Sequence, residues 1–183
     1  MTPRLVLAST SPQRRAILEQ LAIPFAAVAP RYGEHDPPDA DPVALVREHA
    51  LGKARSVHEA GQTTLGVDTT VHLDGRVYAK PRDEEHARAM LRELAGRTHA
   101  VLSGVCLITP DGETVEHAET LVTFRALDDA ALARYAASGE WEGRAGGYAI
   151  QGLASKFIDK IEGCYFNVVG LPVALVYRKL REL

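Results

Sequence analysis

The sequence predicts an α/β fold: a single domain over residues 1–183 in which one mixed β-sheet is flanked by helices. Three observations predict it. Apolar runs of strand length alternate with helical stretches along the chain. Turn signals at Asp74-Gly75 and Pro110-Asp111-Gly112 each join two strand-like runs into a hairpin. Finally, 183 residues at 46% apolar content suffice for one substantial core.

Leu5 to Ala8 has a buried-strand pattern. Ser11 then offers an N-cap oxygen and Pro12 sits at the first helical position, so a helix is expected from Pro12 to about Leu21. Phe25 to Ala29 reads as a second strand, and the proline-rich stretch from Pro30 to Pro42 as a loop. Asp41-Pro42 repeats the cap-plus-proline signal for a helix to about Ala60, with Val43, Val46, Ala50, Ala54 and Val57 on its apolar face. Thr64 to Val67 and Thr70 to Leu73 are strand-like, and Arg76 to Ala79 returns after the turn. Asp83 caps a helix through Leu94, closed by Gly96. Thr98 to Ile108 and Thr114 to Phe124 form a longer hairpin, Asp128 to Ala137 is helical, and the last helix starts at Pro172.

Charge narrows the function classes. Lys and Arg total 21 against 24 Asp and Glu, a net charge of -3, so no broad basic face is expected for a nucleic-acid polymer or an anionic membrane. There is no apolar run of about 18 residues and no signal-peptide zoning at the N-terminus, which predicts a cytoplasmic protein with no membrane partner. Cys106 and Cys164 lack metal-ligand spacing and read as free thiols, and the seven histidines read as surface or core residues.

The residues that could do chemistry fall in three stretches. In "STSPQRR", a strand ending in a tight turn and feeding a capped helix aims backbone N–H groups at one spot, which suits phosphate. Arg14 and Arg15 diverge by roughly 100° on that helix, so one of them is expected to face the anion. In "GVDTTVHLDGRVYAKP", Asp68 is expected to end an apolar strand and Lys80 to close the hairpin that follows. A carboxylate for metal or water and a solvated lysine for phosphate would then share a site. A haloacid-dehalogenase-type nucleophile at Asp68 would need a second Asp two positions on, where Thr70 stands. In "AGGYAIQGLASKFIDKIEGCYFNVVGLP", dense glycines permit close backbone approach, and the Gln151 amide can both donate and accept, as reading a base edge requires.

Taken in order, "LASTSPQRRAILEQL", Lys53-Ala54, "GVDTTV" with "AKP", "VTFRAL", and "GYAIQG" with "NVVGLP" resemble the Maf family of nucleoside triphosphate pyrophosphatases, which share an α/β fold with the inosine triphosphate pyrophosphatases. The resemblance implies cleavage of a nucleoside triphosphate between the α- and β-phosphates. It assigns catalysis to Asp68 and Lys80, and substrate binding to Ser9, Ser11, Gln13, Arg14, Lys53, Thr69 and Gln151. It further implies a divalent ion, Mg²⁺ or Mn²⁺, on Glu34 and Asp68, and a homodimer. Gln151-Gly152 and Thr69 resemble the dTTP/UTP branch, since the 7-methyl-GTP branch carries Glu-Gly at the former position. Gln13 departs from that branch, which usually has arginine there, and broader selectivity is expected from it. The family is also linked to septum formation and cell-division arrest, and a nucleotide-binding regulator with little turnover is the alternative function.

Overall fold

The computed structural model describes residues 5–37 and 40–181. Among them are seven strands and six α-helices, in the order β1 (Leu5–Ala8), α1 (Pro12–Gln20), β2 (Phe25–Val28), α2 (Pro42–Arg55), β3 (Thr63–Leu73), β4 (Arg76–Tyr78), α3 (Glu84–Leu94), β5 (Thr98–Thr109), β6 (Gly112–Phe124), α4 (Asp129–Ala136), β7 (Ile158–Glu162), α5 (Tyr165–Val169) and α6 (Val173–Arg181). The strands form one mixed sheet in the order β2-β1-β3-β5-β6-β7, with β4 paired to β3. The β1/β2 and β1/β3 pairs are parallel, while β3/β4 and β6/β7 are antiparallel. The α/β fold with a mixed sheet and flanking helices is therefore observed.

The three expected caps, Ser11, Asp41 and Asp83, are present, and Asp128, expected as a helical residue, caps α4. The side chains of Ser11, Asp41, Asp83 and Asp128 accept from the backbone N–H groups of Arg14, Ala44, His86 and Ala131, each three residues on. Helix α2 stops at Arg55 rather than near Ala60, because Ser56 caps it and turns its hydroxyl back onto Lys53 O at 2.8 Å. Pro38 and Asp39 of the expected loop lie outside the described residues; its remaining positions carry no regular structure. Strand β7 and helix α5 were hidden in the glycine-rich third stretch.

The chain divides into two compact units: Met1–Thr69 with Ser103–Ala118 and Gly170–Leu183, and Thr70–Leu102 with Glu119–Val169. In the first, α2 lays Ala50 and Ala54 against Cys106 and Ile108, and Val6, Ala8 and Val57 form a second small cluster. The core of the second unit includes Leu91, Leu94, Leu132, Tyr135, Tyr148, Phe124 and Phe157. Both cysteines are free, as expected.

His99 sits inside that second core at 1% exposure, with Nε2 2.7 Å from the Tyr148 hydroxyl and its ring edge-on to Phe124. Burial pushes its pKa down from 6.5 to about 4. The unfolded chain therefore binds this proton first as pH falls, so the contribution of His99 to stability is complete above pH 6.5 and is lost as pH falls toward 4. From pH 7 to pH 5 the loss is about 2 kcal/mol. Urea unfolding of the parent and of His99→Gln at both pH values checks this, and the variant should show the shallower fall. Equal falls would mean that His99 titrates alike in both states.

Candidate active site

The first unit gathers most of the expected site residues. Strand β1 pairs with β3 from Leu5↔Thr63 to Ala8↔Gly66 and then ends, whereas β3 runs on. Asp68 is thus not the end of a strand, as its place after an apolar run suggested, but lies in the middle of β3. The strand continues past it because Val71 to Leu73 pair with β4. Asp68 and Thr69 still stand just beyond the carboxyl end of β1, where open parallel sheets place their crevices.

Lys53, on the inward side of α2, reaches this point. Its Nζ lies 2.5 Å from Asp68 Oδ1 and 2.6 Å from Glu34 Oε1. The Lys53 side chain is 9% exposed, Asp68 13% and Glu34 44%, so two carboxylates meet one largely buried cation at the edge of solvent. Lys53 was expected only as a substrate-binding residue. It is buried because the α2 face that seats Ala50 and Ala54 also carries this side chain inward.

Beside it, the turn after β1 is cross-linked. Ser9 Oγ accepts from Ser11 N at 3.1 Å and from Arg14 Nη1 at 3.3 Å; Arg14 Nη2 donates to Thr69 Oγ1 at 3.1 Å, and Arg14 Nε to Gly170 O at 2.8 Å. Each guanidinium nitrogen thus has an acceptor in the protein. The two arginines diverge as expected, Arg14 buried and Arg15 exposed. Burial lowers the Arg14 pKa, opposed by the charges of Asp68 and Glu34. Gln13 is engaged locally, its Oε1 accepting from Ser11 Oγ at 2.9 Å. Ser103, which no sequence motif marked, joins Thr69 Oγ1 at 2.8 Å from strand β5.

Lys80 and Gln151 belong to the second unit. Lys80 is exposed two residues past β4, and its neighbour Pro81 is buried. Gln151 is exposed in a turn after the buried run Tyr148 to Ile150. That turn is held by Glu140, a residue the sequence did not single out. Its carboxylate accepts from Leu153 N at 2.8 Å and Ala154 N at 3.3 Å, and it lies where a Cβ on Gly152 would sit.

A buried lysine bracketed by two acids beside a hydroxyl-rich helix start has the parts for handling an anion with a hard cation, and comparison with known proteins names the family. Residues 4–183 match the Maf-like proteins. The chain belongs to the Maf-like protein family. It is 45% identical over 181 residues to a dTTP/UTP pyrophosphatase of Deinococcus radiodurans, covering 98% of this chain and 92% of that one. It is 46% identical over 173 residues to a protein of the same name from Paramagnetospirillum magneticum, covering 92% and 91%. A third of that name, from Thermococcus gammatolerans, is 44% identical over 180 residues, covering 98% and 96%.

The family implies a divalent ion, and the donor set of this Maf-like chain fits one. No group of three His, Cys, Asp or Glu suited to a metal occurs among the described residues. Asp68 and Glu34 nevertheless converge on one ammonium. A pair of carboxylates is the usual protein share for Mg²⁺, with phosphate oxygens and water completing the shell. None of the described helices is long and apolar enough to cross a membrane.

Proposed function

We propose that this Maf-like chain hydrolyses the α–β phosphoanhydride of dTTP or UTP, releasing a nucleoside monophosphate and pyrophosphate, with Mg²⁺ or Mn²⁺ held by Asp68 and Glu34. The observation that carries the reading is Lys53 bracketed by those two carboxylates, at 2.5 and 2.6 Å, next to the Ser9–Arg14 turn. The names of the relatives support the reaction and the pyrimidine substrates.

The charged groups have distinct tasks. Lys53 holds the Asp68 carboxylate in one orientation, and Asp68 orients or deprotonates the attacking water. Ser9, Ser11 and Thr69 fix the shape of the turn that receives phosphate, and Lys80 adds a positive charge for the leaving pyrophosphate. Bound, the divalent ion supplies charge neutralisation at the phosphate oxygens. Gln151 pairs with the O4 and N3–H edge shared by thymine and uracil. In the same reading the chain acts as a single catalytic domain, as a cytoplasmic homodimer.

Pyrophosphate release from dTTP, UTP, CTP, GTP and 7-methyl-GTP, with Mg²⁺ or Mn²⁺, tests this. dTTP and UTP should give the highest kcat/KM. Gln151→Glu should erode their advantage over 7-methyl-GTP, because a site built to satisfy hydrogen bonds discriminates by leaving them unpaired. Gln13→Arg should narrow the profile among the unmodified nucleotides. A parent that favours 7-methyl-GTP overturns the branch assignment. Binding of all five without pyrophosphate release would favour the regulatory alternative.

A further inference from the structure

Residues 29–37, which follow β2 and carry Glu34, have no regular secondary structure, yet they meet α2 and its cap Ser56 along one face. Arg31 N donates to Ser56 Oγ at 3.0 Å. The Tyr32 ring occupies the space left by the bare Cα of Gly52, where an added Cβ would come within 2.2 Å of it, and its hydroxyl lies 3.0 Å from His49 Nδ1. Glu34 pairs with Lys53 at 2.6 Å, and Asp36 Oδ1 lies 2.8 Å from His49 Nε2. The residues met, Ser56, then Lys53 and Gly52, then His49, are three or four apart and so share one side of the helix. These residues are thus fastened to one side of α2.

His49 is the double fastening. It is buried at 2% exposure, and both ring nitrogens are engaged, one by a residue two before Glu34 and the other by a residue two after it.

We infer that His49 is a positioning residue: by gripping Tyr32 and Asp36 together it sets the segment between them so that the Glu34 carboxylate meets Lys53 beside Asp68, with Gly52 left bare to admit the Tyr32 ring. The inference rests on the reading of Glu34 as part of the active site. Without the grip, Glu34 would have to be ordered at each encounter with substrate, and small misplacements of a reacting constellation reduce rate steeply.

The experiment compares the parent with His49→Leu, His49→Gln, Gly52→Ala, Glu34→Gln and the double variant His49→Leu/Glu34→Gln. Amide hydrogen exchange is followed at residues 31–36, alongside pyrophosphate release from dTTP and UTP. His49→Leu should speed exchange in that segment and lower kcat/KM roughly ten- to a hundredfold, while adding nothing in the Glu34→Gln background, since it acts through Glu34. His49→Gln, whose terminal amide can still reach Asp36, should recover part of the loss. Gly52→Ala should displace the Tyr32 ring and lower activity without lowering Tm, because alanine suits a helix better than glycine. Unchanged exchange at 31–36 in His49→Leu overturns the inference. So does an equal further loss in the Glu34→Gln background, which would mark His49 as merely structural. If the parent releases no pyrophosphate from any nucleotide, the proposed function fails, and the exchange measurement alone still decides whether His49 holds the segment.

Discussion

Asp68→Asn is expected to lower kcat for pyrophosphate release by about a hundredfold or more while the protein stays folded. The side chain keeps its shape, and its amide oxygen can still accept from Lys53 Nζ, which now sits 2.5 Å from Asp68 Oδ1. What disappears is the negative charge that binds a hard cation and activates water, and loss of a positioned general base costs about 10²- to 10⁴-fold. Stability should change little, because Lys53 retains Glu34 as a counterion. Lys53→Met is the opposite case: it removes the cation that two carboxylates share and leaves Asp68, 13% exposed, facing Glu34. Breaking a buried pair costs about 3–5 kcal/mol, and less here because Glu34 reaches solvent. Steady-state kinetics with thermal unfolding separates the two. An Asp68→Asn variant within threefold of the parent would show that this carboxylate does not take part in the chemistry.

The fold was legible where local physics decides it. The polar caps at Ser11, Asp41 and Asp83 fix helix starts through a bond three residues long, so the sequence window contains both partners. The hairpin turns were legible for the same reason. Strand β7 was not: Ile158–Glu162 is short, interrupted by Asp159 and Lys160, and defined by pairing with Leu121 to Phe124 far back in the chain. Asp68 looked like a strand end because a charged residue interrupts an apolar run, yet β3 is continued through it by cross-strand pairing. In the site, Asp68 was a candidate from its place after an apolar run, whereas Lys53 and Glu34 became candidates through family resemblance alone. They lie on a strand, a helix and a loop, and nothing in the linear order shows that one ammonium joins them. Ser103, Glu140 and His49 carried no local signal, because each acts on a partner 13 to 34 residues away in sequence.

Replacing Gly104 or Gly66 by alanine is expected to be among the most destabilising single changes in the first unit, although each adds one methyl group. A Cβ on Gly104 would come within 2.0 Å of Val46 O and 2.8 Å of Arg47 N, and one on Gly66 within 2.1 Å of Ala50 O and 2.9 Å of Ala54 N. These obstacles are backbone atoms of α2, which no rotamer change can clear. The two glycines lie on β5 and β3, neighbours in the sheet, so the helix rests with its main chain directly on a bare two-strand track. Ala50 and Ala54, both fully buried, are the small side chains this approach demands. To admit a methyl group α2 must lift, and the overpacking should reach the upper part of the usual range of about 1–3 kcal/mol or exceed it. For a chain of this size that is a fall in Tm of roughly 6–12 °C. Gly33→Ala is the control: its Cβ meets nothing within 4 Å, and stability should shift by no more than about 0.5 kcal/mol. Activity should fall in Gly104→Ala even below its unfolding temperature, since α2 carries both Lys53 and His49, and lifting it draws the cation away from Asp68. Thermal denaturation and kcat at a temperature where every variant is folded measure the two effects. A Gly104→Ala protein as stable and as active as the parent would mean that α2 is not seated on the sheet through its backbone.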